Sequence, residues 1–153
     1  MSRQQIVAGN WKLNGSKALI NAFNEHFTHT DIPNVSIMLF VPALYAEAVD
    51  KSAFCVGVQN ISEHSSGAHT GELSVAMLND LGIKYTLVGH SERRQMYGDS
   101  NAVVAKKVSV ALDADITPIL CVGESLETRD AGQVNEFIQA QLDRVIELVG
   151  IAG

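Results

Sequence analysis

Lys12, His90 and Glu92 are the side chains whose types and surroundings could support chemistry in this sequence. The apolar run Leu87–Val88–Gly89 ends abruptly in His90, Ser91, Glu92, Arg93 and Arg94. A histidine at a strand end, beside the start of a helix, can polarise a carbonyl and pass a proton between two oxygens. The positive end of such a helix favours the uncharged imidazole, and Glu92 in the first turn complements that same end. Lys12 follows Asn10 and Trp11 after another apolar run. A cation about 4 Å from a developing oxyanion lowers its energy by about 4 kcal/mol at an effective dielectric near 20. Glu92 is the natural partner to orient that cation, and a loop exposing Trp11 beside Lys12 suggests more than solvent contact. Arg93 and Arg94 read as helix-surface or interface residues.

Other chemistries lack a signature. No GxxxxGK[ST] and no GxGxxG follows a strand, so nucleotide binding has no support. His64 and His69 lie in a polar stretch without the carboxylate or cysteine spacing of a metal site, so no metal is expected. Cys55 and Cys121 have no CxxC spacing and read as free thiols of a cytoplasmic protein. Cys121, at a strand end with no adjacent cation, reads as packing rather than as a nucleophile.

Bulk properties agree with a folded domain. The sequence has 153 residues, 46% hydrophobic and 18% charged, with a net charge of −6. Its basic residues are scattered, which argues against a nucleic-acid or anionic-membrane surface. No apolar run approaches the ~20 residues of a membrane span, and Met1 to Ile6 lacks a signal-peptide core.

The elements that must position these side chains alternate along the chain. Ile6 to Ala8, Val35 to Val41, Phe54 to Val58, Tyr85 to Val88 and Ile116 to Val122 read as strands, the last weakened by Pro118. Leu19, Ile20, Phe23 and Phe27 share one helical face behind a Ser16 cap. Pro42 suits the first turn of a helix continued by Leu44, Tyr45, Ala48 and Val49. Ser74 to Leu81 is a helix closed by Gly82. Val104, Val108, Ala111 and Leu112 mark the next helix, and Val134, Phe137, Ile138, Leu142, Val145, Ile146 and Val149 a long final one.

Five strands alternating with helices predict an α/β fold with a parallel sheet, all of residues 1–153 in one domain. In such a sheet the site lies at the carboxyl ends of the strands. Just past those ends stand Asn10 and Lys12, Gln59 and Asn60, His90 to Glu92, and Gly123 with Glu124. The polar stretch from Gln59 to Gly71 is long for a plain connection, and loops of that length are usually functional.

In order along the chain, the segments Gly9–Asn10–Trp11–Lys12–Leu13–Asn14–Gly15, Val58–Gln59–Asn60, Ser66–Gly67–Ala68–His69–Thr70–Gly71–Glu72, Gly89 to Arg94 and Leu120–Cys121–Val122–Gly123–Glu124 closely resemble the triosephosphate isomerase family. The resemblance implies a parallel (β/α)₈ TIM barrel, of which these residues supply about the first five βα units. It implies interconversion of dihydroxyacetone phosphate and glyceraldehyde 3-phosphate by proton transfer without a cofactor, a step of glycolysis and gluconeogenesis. By it, Asn10 and Lys12 bind substrate, Lys12 stabilises the enediolate charge, His90 is the electrophile, and Glu92 supports Lys12. It also implies a homodimer, in which the loop carrying Gln59, Thr70 and Glu72 inserts into the neighbouring subunit near Lys12.

The family's general base is a glutamate after a sixth strand, in a segment like Tyr-Glu-Pro-Val-Trp. No such segment occurs here, and a full barrel needs ~250 residues. A polypeptide of these residues alone is therefore expected to be inactive. Its open sheet would expose two edges, inviting aggregation or complementation. Glu124 follows the wrong strand to substitute as base. Two other readings make contrary predictions. A flavodoxin-like ligand-binding domain predicts strand order 2-1-3-4-5 with helices on both faces, whereas a barrel segment predicts order 1-2-3-4-5 with helices on one. A non-catalytic fragment would use the 59–72 loop for self-association.

Overall fold

The computed structural model describes residues 3–28 and 32–151. The expectations that touch Met1, Ser2 and the last two positions lie outside the described residues. The chain runs β1 (Gln5–Asn10), α1 (Lys17–Phe27), β2 (Val35–Val41), α2 (Ala43–Ala46), β3 (Cys55–Val58), α3 (Val75–Asp80), β4 (Tyr85–Val88). It continues through α4 (Ser91–Met96), α5 (Asn101–Asp113), β5 (Thr117–Leu120), α6 (Leu126–Asp130) and α7 (Val134–Val149).

All neighbouring strands pair in parallel, in the order β1-β2-β3-β4-β5. The sheet residues sort by the alternation of side chains along each strand. Leu39, Val41, Val56 and Val58 pack with helical Ile20, Ala46, Val75, Leu78 and Ala111. Val88 packs with Val104, Ala105 and Val108 of α5 and Val145 of α7. The alternate residues Met38, Phe40 and Leu87 cluster only with strand and strand-end residues such as Tyr85, Ile119 and Cys121. Helices therefore cover one face, the other face is lined by strands, and the doubly wound alternative is excluded.

Serine starts most of the helices. Ser16, Ser74, Ser100 and Ser125 each accept the backbone N–H three residues on, satisfying a donor the helix cannot. Gly82 adopts φ +66° and closes α3, as its position after Leu81 predicts.

Two expected elements are shorter than their apolar patterns. The helix expected to run from Pro42 through Val49 stops at Ala46. The Asn24 side chain donates to the Ala48 carbonyl at 2.9 Å and accepts from the Asp50 N–H at 2.9 Å, taking groups a longer helix would use. The fifth strand ends at Leu120 rather than Val122. Pro118 is tolerated within it because Thr117 and Cys121 send their N–H groups to Lys84 and Val88 of the β4 side. The alternate position 118 faces the open side, where a missing donor leaves no ladder bond unmade.

Candidate active site

Four strand ends meet at a cleft of about 420 Å³ lined by Asn10, Lys12, Gln59, Asn60, His90, Glu92 and Arg93, among others. Each lining side chain is placed by a local device. Trp11 donates its N–H to the Phe40 carbonyl at 3.0 Å. Its ring packs edge-on against Phe23 with centroids 5.3 Å apart, so it anchors the loop to α1 instead of standing exposed. Lys12 then adopts φ +53°, a left-handed conformation unusual for a side-chain-bearing residue. Asn10 Oδ1 holds that turn by accepting the Lys12 N–H at 2.9 Å. Gln59 Nε2 holds it from the other side, donating to the Lys12 carbonyl at 3.0 Å and the Phe40 carbonyl at 3.2 Å.

The turn aims Lys12 at Glu92. Nζ donates to Glu92 Oε1 at 2.8 Å. The hydrogen bond from this ammonium holds the Glu92 carboxyl below the usual carboxylate range, and the Lys12 charge adds to the effect. Glu92 Oε2 lies 3.6 Å from His90 Nδ1. His90 itself caps α4, where Nδ1 accepts the Glu92 backbone N–H at 3.3 Å. An imidazole that accepts through Nδ1 carries its proton on Nε2 and has that N–H left as a donor. The structure thus joins Asn10, Lys12, His90 and Glu92 in one constellation: a cation, a neutral N–H donor and the carboxylate between them.

The fifth strand does not contribute as its position suggested. Gly123 and Glu124 are absent from the cleft lining. Glu124 pairs with Arg129 of α6, which holds its carboxyl below the usual range. Gly123 is held by the buried Gln141, which accepts its N–H at 3.1 Å and donates to its carbonyl at 2.9 Å.

Of the loop residues, Gln59 and Glu72 line the cleft and Thr70 is exposed. The loop is stapled at its root. Ser62 N–H donates to the Leu73 carbonyl at 2.8 Å, Glu63 pairs with Lys106 at 2.9 Å, and Asn60 Oδ1 accepts from Lys107 Nζ at 2.8 Å. His64 and His69 stack with centroids 3.9 Å apart. Among the described residues no group of three or more His, Cys, Asp or Glu could hold a metal ion. Burial pushes the Cys121 thiol up, which leaves it in the less reactive thiol form.

Sequence reasoning missed the polar residues beneath the rim. Lys107 pairs with Asp99 at 3.0 Å, and Asp99 also takes Arg93 Nε at 3.1 Å. Arg93 stacks over the Tyr97 ring, 5.1 Å from its centroid. The signal was available, because Lys107 falls on the stripe of Val104, Val108 and Ala111. Arg94 is not the surface residue its place in a charged run suggested: it is half-buried and reaches back under the His90 turn.

A one-sided parallel sheet with its polar constellation at the carboxyl ends of the strands defines a barrel-type α/β protein. The profile of the family described as triosephosphate isomerase matches residues 5–152. Proteins named triosephosphate isomerase from Delftia acidovorans and Xylella fastidiosa strain M23 are 47% and 46% identical, over 97% and 99% of this chain and 62% and 63% of their own lengths. One from Alkalilimnicola ehrlichii is 44% identical over 97% of this chain and 61% of its own. The chain belongs to the triosephosphate isomerase family. It spans roughly three fifths of the length of these relatives.

Proposed function

We propose that the protein built on this chain interconverts dihydroxyacetone phosphate and glyceraldehyde 3-phosphate through an enediolate. The observation that carries this reading is the shared cleft of Lys12 and His90, with Glu92 between them. Asn10 and Lys12 bind the substrate there, and the Lys12 ammonium opposes charge developing on the carbonyl oxygen. The His90 Nε2–H donates to the same oxygens and relays a proton between them. Glu92 fixes the ammonium.

The carbon proton needs a base. Of the two carboxylates lining the cleft, Glu92 is committed to Lys12, and Glu72 belongs to the loop. Among the described residues the cleft therefore holds no free base beside His90, and the 153-residue polypeptide by itself is expected to be inactive. A base contributes ~10²–10⁴-fold.

We further propose a homodimer through the 59–72 loop, with Gln59, Thr70 and Glu72 at the contact. Supporting it, the cleft opens beside Lys12, and its margin carries the exposed apolar side chains of Leu13 and Tyr97. Aromatic and apolar groups at such a margin suit a protein interface. No helix among the described residues is long and apolar enough to cross a membrane, and the reading places the enzyme in the cytoplasm without nucleic-acid or membrane partners.

The experiment joins this chain to the part of the Delftia acidovorans relative that the match leaves uncovered, and assays isomerase turnover and solution mass. Turnover by the joined protein, a dimeric mass, loss of turnover in His90→Gln and none in the 153-residue chain are expected. Full activity in His90→Gln sinks the role of His90, and a strict monomer at high concentration sinks the dimer.

A further inference from the structure

At the ends of β4 and β5 the sheet leaves two carbonyls without ladder partners. Cys121 N–H still donates to the Val88 carbonyl at 2.9 Å, the last rung of the pair. Beyond it Gly89 takes φ +71° and turns the chain away, so the next rung is not made. A half-buried guanidinium fills the gap. Arg94 Nε donates to the Gly89 carbonyl at 2.7 Å, Nη1 to Asn101 Oδ1 at 2.7 Å, and Nη2 reaches the Cys121 carbonyl at 3.4 Å. The glycine serves both the turn and the fit: a Cβ at Gly89 would stand 2.8 Å from Arg94 Nη2 and 2.9 Å from Val104 Cγ2.

We propose that Arg94 is a positioning residue for His90, locking the Gly89–His90 peptide so that the imidazole accepts through Nδ1 and presents Nε2–H to the cleft. The peptide that starts His90 is fixed by Arg94 at its carbonyl, and the His90 ring is fixed by the Glu92 N–H at Nδ1. With the carbonyl released, the peptide can rotate and the ring loses the alignment that selects one tautomer. Three neutral acceptors in three directions demand the planar, five-donor fork of arginine; an ammonium reaches them less well.

The inference rests on the reading of His90 as a neutral donor, and its test needs no turnover. Imidazole ¹⁵N correlation spectra of the 153-residue chain, with His90 assigned by His90→Gln, report the tautomer directly. The expected result is a single Nε2–H tautomer for His90, replaced in Arg94→Met by a mixture of both tautomers. Arg94→Lys is expected to leave the mixture, since charge without the fork does not hold the peptide. A merely structural role would lower the unfolding midpoint without changing the tautomer of the folded chain. If Arg94→Met fails to fold, Asn101→Ala, which removes one anchor of the guanidinium, is expected to show the mixture in part. An unchanged single tautomer in folded Arg94→Met, full restoration by Arg94→Lys, or an unchanged Asn101→Ala chain where that variant decides, overturns the proposal. Tautomer loss in Arg94→Met, together with no turnover by the joined protein that keeps Arg94, would sink the isomerase reading and leave the positioning role standing.

Discussion

Of the lysine–carboxylate pairs in this fold, Lys12–Glu92 and Lys107–Asp99 differ most in their surroundings. Lys12 and Glu92 meet at 2.8 Å with side chains 52% and 41% exposed. Lys107 and Asp99 meet at 3.0 Å with side chains 4% and 5% exposed. The contact is nearly the same; the solvent is not. An exposed pair contributes little to stability, because water screens it and ordering two flexible side chains is costly. Its ammonium remains available to a ligand entering the cleft. A buried pair has no such freedom: Lys107 spends its donors on both Asp99 oxygens and Asn60. Asp99 in turn receives Arg93, so that one buried cluster ties the root of the 59–72 loop to α5 and α4. Lys12 stays open to the cleft, and Lys107 holds the frame beneath it.

The comparison breaks most visibly if the two lysines are removed in turn. In a joined protein with a complete barrel, Lys12→Ala is expected to lower turnover by ~10³-fold. That follows from about 4 kcal/mol for a cation near an oxyanion and a factor of ten for each ~1.4 kcal/mol. Lys107→Met is expected to cost about 3–5 kcal/mol of stability, read as a fall in the urea midpoint, because it leaves the Asp99 carboxylate buried beside one remaining cation. A midpoint that does not move would show that Lys107 is not needed by the frame.

The smallest effect concerns Glu92. Its folded-state carboxyl is held below its ordinary range by Lys12, so its share of stability is present above that range. The share is full above the ordinary value, declines steadily as pH falls below it, and is gone once pH has fallen through the depressed one. A carboxyl titration followed by ¹³C NMR is expected to show this depression. The depression should shrink at about 1 M salt, where the screening length is ~3 Å, and be largely lost in Lys12→Ala.

The strands were legible because short apolar runs alternate with amphipathic ones; that pattern left two sheet orders open, and the resemblance favoured the one observed. Tyr85 to Val88 and the long helix through Val134 to Val149 fall where their patterns place them. Lys12, His90 and Glu92 were legible because each stands just beyond an apolar run. Long-range bonds between side chain and backbone were not. Asn24 shortens α2 from more than twenty residues away, and no local pattern shows that. Trp11 read as exposed because its partner Phe23 lies on the next helix. Arg94 read as surface because a charged run conceals which member folds under. Lys107 and Gln141 are different: each occupies the apolar stripe of its helix, and a polar residue in that place signals a buried partner.

The most direct test measures two quantities on one protein. Isomerase turnover and the urea unfolding midpoint are determined for the barrel completed from the Delftia acidovorans relative and for its Lys12→Ala variant. The account predicts robust interconversion of the two triose phosphates by the completed barrel. It predicts turnover lower by two to three orders of magnitude in the variant, on the magnitudes given above, at an unchanged midpoint. Equal turnover in the two proteins, or a loss of turnover that only tracks a loss of stability, would contradict it.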